Sequence, residues 1–438
     1  MILSIVILPC ISNVRSDAVS DVDYADWYTT ENVAVRLVQA LFRHGDRSPT
    51  RSYVNDIYKE SYWPQGFGQL STTGMQQEIK LGQYIRNVYI NQLQFICDAY
   101  RRTELYVRSS SLDRALMSAS SVLAGIYPPS TTDWNSTMGW QPIPVHTVPQ
   151  PEDYLLLGNT PCPVAEDITT HTLETSPKIQ QIMANYKDFY EYVSNNSGEP
   201  NSWTGIGQVL DPLFVQYVSK NTKLPDWVTD DILKQLLELH DLYTELWFPD
   251  GTEFLRGGPL LKEMIEHMVN KSTDVLSQSV PQKLFLYSAH DSTIVMLLRA
   301  MGLFNNRKPP YTACVILELL ENPDHDFFVR VLYKNDTLRP PTILTLEGCN
   351  HKEKCPLETF VNLYKYSLPI NLKQECGVTD SNASSSEFSK GSEILDVALI
   401  CGILFALVFL VVYMYRTRDK SRDSQEYMPV PTELSDLT

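Results

Sequence analysis

Residues 43–47, Arg-His-Gly-Asp-Arg, set one imidazole between two guanidinium groups and beside a carboxylate. An imidazole that stays neutral and is held in one tautomer is a nucleophile. Guanidinium forks match the oxygens of a phosphate. Two further segments offer the partners such chemistry needs. Arg108 opens "RSSSLDR", and His290-Asp291 follows the apolar run "LFLYSA". The histidine supplies another donor and the carboxyl a proton. One nucleophile (His44), one acid (Asp291) and a cradle of Arg43, Arg47, Arg108 and His290 are the parts needed to hydrolyse a phosphate ester without metal. No cysteine pair or His/Cys cluster has zinc-ligand spacing, so no metal and no other cofactor is expected.

The chain around this basic turn is acidic, with 52 Asp+Glu against 36 Lys+Arg and a formal charge of −16 over 438 residues. A locally basic turn in such a chain points to a pocket for an anion. Nucleic acid is excluded as a partner, because it needs a basic stripe across a domain. With 43% apolar and 20% charged residues the chain reads as globular.

Each polar segment follows an apolar run and precedes a helical pattern. "VAVRLVQALF" (33–42) mixes β-branched residues with alternation and reads as a strand. Beyond it, Ser71/Thr72 start a helix with apolar residues at Met75, Ile79, Tyr84 and Ile85. "TELYVRSSSLDRALMSASSVLAGIYPP" repeats the plan, with a strand over 105–108, a Ser-rich cap, a helix and a Pro-Pro stop. "QKLFLYSAHDSTIVMLLRAMGL" repeats it again, with a strand over 284–287 and a helix after Asp291. Three strand–turn–helix units predict an α/β fold with its site outside the carboxyl ends of the strands. The texture between 149 and 268 is helical and reads as an inserted cap domain, leaving 21–148 and 269–376 for the α/β domain. Trp227 on the insertion either lines the cleft or packs in its core. His146 reads as structural or interfacial, Arg51 as a surface residue, and Asp46 as orienting its neighbours.

The ends speak of a membrane. Residues 1–20 open with "MILSIVILPCI" and resemble a signal peptide without the usual basic start, the alternative being a first core strand. Residues 397–415, "VALICGILFALVFLVVYMY", carry no charge and as a helix span about 28 Å, matching a bilayer core. Arg416, Arg418, Lys420 and Arg422 follow, which puts residues 416–438 in the cytoplasm. The expectation is a type I single-pass protein with a Ser-rich stalk over 377–396. Glycosylation acceptors fall at Asn135, Asn195, Asn270, Asn335 and Asn382. Of eight cysteines, Cys10 lies in the leader and Cys401 in the span. The remaining six read as three disulfides, with about 15 possible connectivities. In the tail, Tyr427-Met428-Pro429-Val430 fits an extended segment that docks on a sorting adaptor and directs endosomal–lysosomal delivery, and the chain is expected at a lysosomal membrane or the cell surface.

"RHGDRSP" fits the RHGxRxP signature of the histidine acid phosphatases, and "YSAHDST" fits their downstream His-Asp pair. "SYWPQGFGQLSTTGM", "YVRSSSLDRALMSA" and "WQPIPVHTVP" resemble the prostatic and lysosomal kind in particular, and the likeness covers residues 33–376. It implies a twisted, mostly parallel sheet flanked by helices, with a smaller helical domain beside the cleft. It also implies hydrolysis of phosphate monoesters through a phosphohistidine. His44 matches the nucleophile, Asp291 the proton donor, and Arg43, Arg47, Arg108 and His290 the phosphoryl-oxygen ligands. Gly45 is expected to let the backbone pass close to the substrate. Family cysteines pair Cys162 with Cys376 and Cys349 with Cys355. Cys97 and Cys314 depart from the family pattern and are expected to pair with each other. The resemblance further implies a homodimer. Two alternatives stand beside this reading: a catalytically idle surface ectodomain, and a phosphatase selective for lipid or inositol phosphates.

Overall fold

Ala34–Arg43 (β1), Leu105–Ser109 (β2) and Leu284–Ala289 (β3) are strands that each run up to one of the polar segments. They pair in parallel, in the order β2-β3-β1. The computed structural model describes residues 28, 30–128, 140–219, 221–273, 281–366 and 368–378. The sheet continues from β1 through antiparallel strands β4 (Cys314–Glu321), β5 (Phe327–Lys334) and β6 (Thr342–Leu344), with β7 (Cys355–Pro356) also against β5. The sheet is therefore mixed: the half that bears the polar turns is parallel, and an antiparallel ribbon extends it.

Successive side chains along β1 serve two cores, as the period of two in a strand requires. Val38, Ala40 and Phe42 face helices α1 (Thr72–Arg86) and α2 (Asp113–Ile126), packing with Leu81, Ile85, Val122 and Ile126. Leu37 and Leu41 face the other way. They meet two helices that are numbered after the insertion, α8 (Gly258–Thr273) and α9 (Asp291–Ala300), through Leu260, Leu261, Met264 and Leu297. Each of the Val, Leu, Ile, Met and Phe side chains among these contributes about 1.5–3 kcal/mol when fully buried. This two-sided burial anchors the strand ends that carry the chemistry.

In the chain between β2 and β3 come α3 (Pro163–Thr175), α4 (Pro177–Asn185), α5 (Lys187–Ser197), α6 (Trp203–Val218) and α7 (Asp230–Glu245). Hydroxyl side chains begin three of them: Ser176, Ser202 and Thr229 accept the backbone N–H of Ile179, Gly205 and Ile232. They bury a core of their own around Ile182, Phe189, Ile206, Leu210, Leu239 and Tyr243. Tyr53, from the loop after β1, joins that core. Helix α8, which the sequence reading assigns to the insertion as far as residue 268, packs instead on the sheet.

Disulfides Cys162–Cys376 and Cys349–Cys355 are present. The expected Cys97–Cys314 bridge is not, and Cys314 is a free, buried thiol. Cys97 lies beside Glu104, whose carboxylate accepts its backbone N–H at 2.8 Å, at the start of β2. Cys314 pairs with Phe42, four residues further along the sheet than the Val38 level of Leu105. That offset alone is on the order of 13 Å, beyond the reach of a disulfide, whose Cα atoms lie within about 7 Å.

Asn195, Asn270 and Asn335 are exposed. Among the described residues no helix is long and apolar enough to cross a membrane. The leader (1–20), Asn135, Asn382, nearly all of the stalk, the span (397–415) and Tyr427 lie outside the described residues.

Candidate active site

Register brings the three polar turns level. Arg43 pairs with Ala289, and Ser109 with Ser288. The next residue on each strand, His44, His290 and Ser110, therefore stands at the same sheet edge. The His44 N–H donates to the Ala289 carbonyl at 3.0 Å, and the Ser110 N–H to that of Ser288 at 3.1 Å. The two imidazoles lie 5.4 Å apart, edge to face, and His290 Nε2 is 2.8 Å from Ser110 Oγ.

His44 is 2% exposed. Its Nδ1 is 2.9 Å from the Gly45 carbonyl, and a carbonyl only accepts. That contact puts the proton on Nδ1 and leaves the lone pair on Nε2. Burial, then Arg43 and Arg47, hold its pKa well below the ordinary histidine value, so the ring is neutral. His290 is likewise pulled down to about 3, first by burial and then by Arg114.

The turn holding His44 is locked against α1. A Cβ on Gly45 would meet the Gly74 carbonyl oxygen at 2.4 Å, and one on Gly74 would meet the Asp46 carbonyl oxygen at 2.2 Å. The bare Cα of Gly45 thus makes room for the helix backbone rather than for a substrate, which corrects the sequence expectation. Ser71 caps α1 at the Gly74 N–H and donates its hydroxyl to Asp46. Asp46 is therefore an orienting residue.

Three cations act on the imidazole, Arg43 and Arg47 buried and Arg114 partly buried. Arg43, 1% exposed, donates to the Pro309 carbonyl at 2.6 Å, pairs with Asp291 at 3.0 Å, and lies over the Tyr311 ring. Arg47 makes a two-pronged pair with Asp211 of α6, at 2.9 and 3.2 Å. Arg114, from the first turn of α2, is the third. The Nε–H of all three is buried and has no acceptor in the protein. Unsatisfied buried donors of this kind are costly unless an anion takes them. Arg47 and Arg114 line a cavity of about 280 Å³ together with His44, His290 and Asp291, and Arg43 stands behind Asp291.

Asp291 begins α9, and its carboxylate is held from three sides. Oδ1 accepts the Ser292 N–H at 2.9 Å, and Oδ2 meets Arg43 at 3.0 Å and Lys308 at 3.1 Å. Burial alone would raise its pKa, but Arg43, then Lys308, pull it well below the usual carboxylate value.

Of the residues the sequence singled out, Arg43, His44, Arg47, His290 and Asp291 come together here, and two do not. Arg108 turns away to pair with Asp153 at 2.8 Å, its strand bridged to His146, whose ring stacks on Tyr106. Arg108 sits inside β2, where side chains alternate between faces, and this position does not look into the cavity. Arg114, six residues on in the same "RSSSLDR", lines it instead. Trp227 packs edge-on against Tyr53 and Tyr192 at the insertion core. Trp247 is the tryptophan that lines the cavity. Sequence reasoning also missed Asp211, His240 and Lys308, which line it too. The Asp211-Pro212 dipeptide inside a helix and an arginine in a helix's first turn were the available signals. For Lys308 there was none.

Comparison with known proteins places the chain in a family. The profile of the histidine phosphatase superfamily (branch 2) matches residues 34–334. The lysosomal acid phosphatase of Rattus norvegicus is 37% identical over 389 residues, covering 86% of this chain and 87% of the relative. The prostatic acid phosphatase of Bos taurus is 40% identical over 352 residues, covering 78% and 88%. Among solved structures, the phytase from Citrobacter braakii superposes with a TM-score of 0.61 at 18% identity, covering 79% of this chain and all 100% of that one, a likeness of fold.

Proposed function

The chain belongs to the histidine phosphatase superfamily, branch 2, and we propose that its chemistry is carried by His44, Asp291, Arg43, Arg47, Arg114 and His290. It is a phosphomonoester hydrolase of the acid phosphatase kind. The observation that carries the assignment of residues is that Arg47, Arg114, His290 and Asp291 line one cavity with a neutral imidazole whose Nε2 is free, while Arg43 pairs with Asp291 beside it.

His44 Nε2 attacks phosphorus, and the P–N bond forms as the bond to the leaving oxygen breaks. Asp291, in its carboxylic acid form, gives its proton to that oxygen and becomes a carboxylate. The arginines and His290 offset charge on the three equatorial oxygens. The Asp291 carboxylate then takes a proton from water, whose oxygen attacks phosphorus and breaks the P–N bond. Phosphate leaves, and His44 and the Asp291 acid are restored. Asp291 is protonated only in acid, because Arg43 and Lys308 depress it. His44 stays a free base there, because burial and its arginines depress it as well. Both shifts favour turnover on the acid side of neutrality.

Replacing His44 by Ala should abolish hydrolysis of p-nitrophenyl phosphate. Acid-quenched wild type given labelled substrate should yield an acid-labile, base-stable phosphoenzyme. Turnover with no such intermediate would sink the scheme.

For the rest of the chain, the reading is an α/β domain over 21–148 and 258–376, a helical cap between them, and one membrane span at 397–415. Uncharged sequence there and the arginines after it support the span. Relatives named lysosomal acid phosphatase support delivery to a lysosomal membrane through Tyr427, and the family resemblance supports a homodimer. A Tyr427→Ala protein that distributes between surface and lysosome as wild type does would refute the sorting role.

A further inference from the structure

We propose that Lys308 is a positioning residue for the leaving-group step: it fixes Asp291 against Arg43 and sets how acid the solution must be before an alkyl leaving group receives its proton. The inference rests on the reading of Asp291 as proton donor.

Lys308 lies on the loop between α9 and β4, and nothing about its neighbourhood is solvent-like. Its backbone N–H donates to Asp241 of α7 at 2.8 Å, which ties the loop to the cap. Its ammonium lies 4.3 Å from the centre of the Trp247 ring, and its side chain is 10% exposed. From there it reaches Asp291 Oδ2 at 3.1 Å, the same oxygen that Arg43 contacts. An ion pair shielded from water is screened little, so each cation weighs on the carboxyl.

The two cations differ in their other partners. Arg43 divides its guanidinium between Asp291 and the Pro309 carbonyl and keeps an unpartnered Nε–H beside the site. The ion pair of Lys308 is with Asp291.

The remaining charged and titratable groups that face Asp291 do not replace it. His44 and Arg47 come from the end of β1, Arg114 from α2, and His290 precedes Asp291 itself. Arg47 and Arg114 are turned to the phosphate position, and His44 and His290 are neutral. Asp211 of α6 is engaged by Arg47, and His240 of α7 is held neutral by burial, then by Lys308. Lys308 is thus the second cation on Asp291 Oδ2, beside Arg43, and its own ion pair is with that carboxylate.

The sign is fixed. A cation beside a carboxyl favours the carboxylate, so it lowers the pH at which the acid form is populated. Taking the cation away lets Asp291 hold its proton at higher pH.

The experiment compares wild type, Lys308→Met, Lys308→Arg and Asp291→Asn in the full-length protein. kcat is measured from about pH 4 to about pH 8 with glycerol 2-phosphate and with p-nitrophenyl phosphate, whose better leaving group needs less protonation. In the methionine variant the limb where kcat falls with rising pH should move up by about one pH unit for the alkyl ester. It should move less for the aryl ester, and the arginine variant should keep the wild-type limb. If the methionine variant does not fold, Lys308→Gln, also uncharged, should show the same shift. A limb in the wild-type position in every uncharged variant overturns the inference, even if kcat falls. Loss of alkyl hydrolysis at every pH with aryl hydrolysis intact also overturns it, because Lys308 would then itself supply the proton. Asp291→Asn that leaves both esters equally well hydrolysed refutes the donor reading beneath it, a result distinct from either.

Discussion

An arginine in the first turn of a helix works against the positive end of the helix dipole by about 0.3–1 kcal/mol. Arg114 sits there in α2, with its Nε–H unpartnered. The position is tolerable when an anion shares it. Arg108, by contrast, already has a carboxylate, since Asp153 is fully buried and bonded to it at 2.8 Å. The two arginines should therefore fail differently. Arg114→Ala should lower kcat/KM for p-nitrophenyl phosphate by at least ~100-fold with little loss of stability. Arg108→Ala should cost about 3 kcal/mol in urea unfolding, because it strands a buried charge, and leave the pH profile of surviving activity unchanged. Equal kinetic defects in the two variants would show that the cavity has been misread. Side chains contiguous with the signature, Arg43, His44, Arg47, His290 and Asp291, were legible because the strand-end rule fixes where they sit. Arg114 was not, since either arginine of "RSSSLDR" lies near a strand end and only the direction of the side chain decides between them. Trp227 and Trp247 posed the same ambiguity on the insertion.

At the scale of elements, what sequence revealed was the set of units with a local signature. Each parallel strand shows an apolar run broken by polar residues, and the helices after β1 and β2 show their periodicity. Strands β4 and β5 lack such a signature. β4 is buried along its whole length, so it does not alternate. Both strands also carry charges in their middles: Glu318 accepts hydrogen bonds from Tyr28, Tyr89 and Arg330. The partner that makes such a charge tolerable is distant in sequence and invisible in it. The same holds for α8, whose spacing is helical whichever core it joins. Cys314 follows from this topology: it faces Leu81 and Ile85 in the core beneath α1, away from other cysteines among the described residues. Burial pushes its thiol well above the ordinary value, so it is inert while folded. Native protein treated with iodoacetamide should leave the Cys314 peptide unlabelled, and unreduced protein denatured in urea should label it. A peptide crosslinked through Cys314 in unreduced digests would contradict the strand register.

For the molecule as a whole, acid pH pulls on stability from two directions. His44 and His290 are kept neutral, so the unfolded chain takes up protons that the folded one refuses as pH drops below about 6.5, and stability declines toward lower pH. Glu78 does the opposite. It is fully buried on α1, neither carboxyl oxygen has a partner, and burial raises it well above its ordinary value of 4.5, with Arg43 the one opposing influence. The folded chain keeps this proton where the unfolded chain has lost it, so stability declines toward higher pH, by up to about 1.4 kcal/mol per unit. With two histidines set against one carboxyl, these penalties are jointly smallest near pH 6.5, and below it the histidine penalty grows faster than the Glu78 penalty shrinks. Glu78→Gln keeps the shape of the protonated carboxyl and removes its titration. Below about pH 4.5 the variant and wild type should unfold at the same urea concentration. From there toward neutrality the variant should become progressively the more stable of the two. A difference that stays flat across that range would mean Glu78 is ionised in the fold, with Arg43 its counter-ion, and the guanidinium would then be shared between the core and the phosphate site.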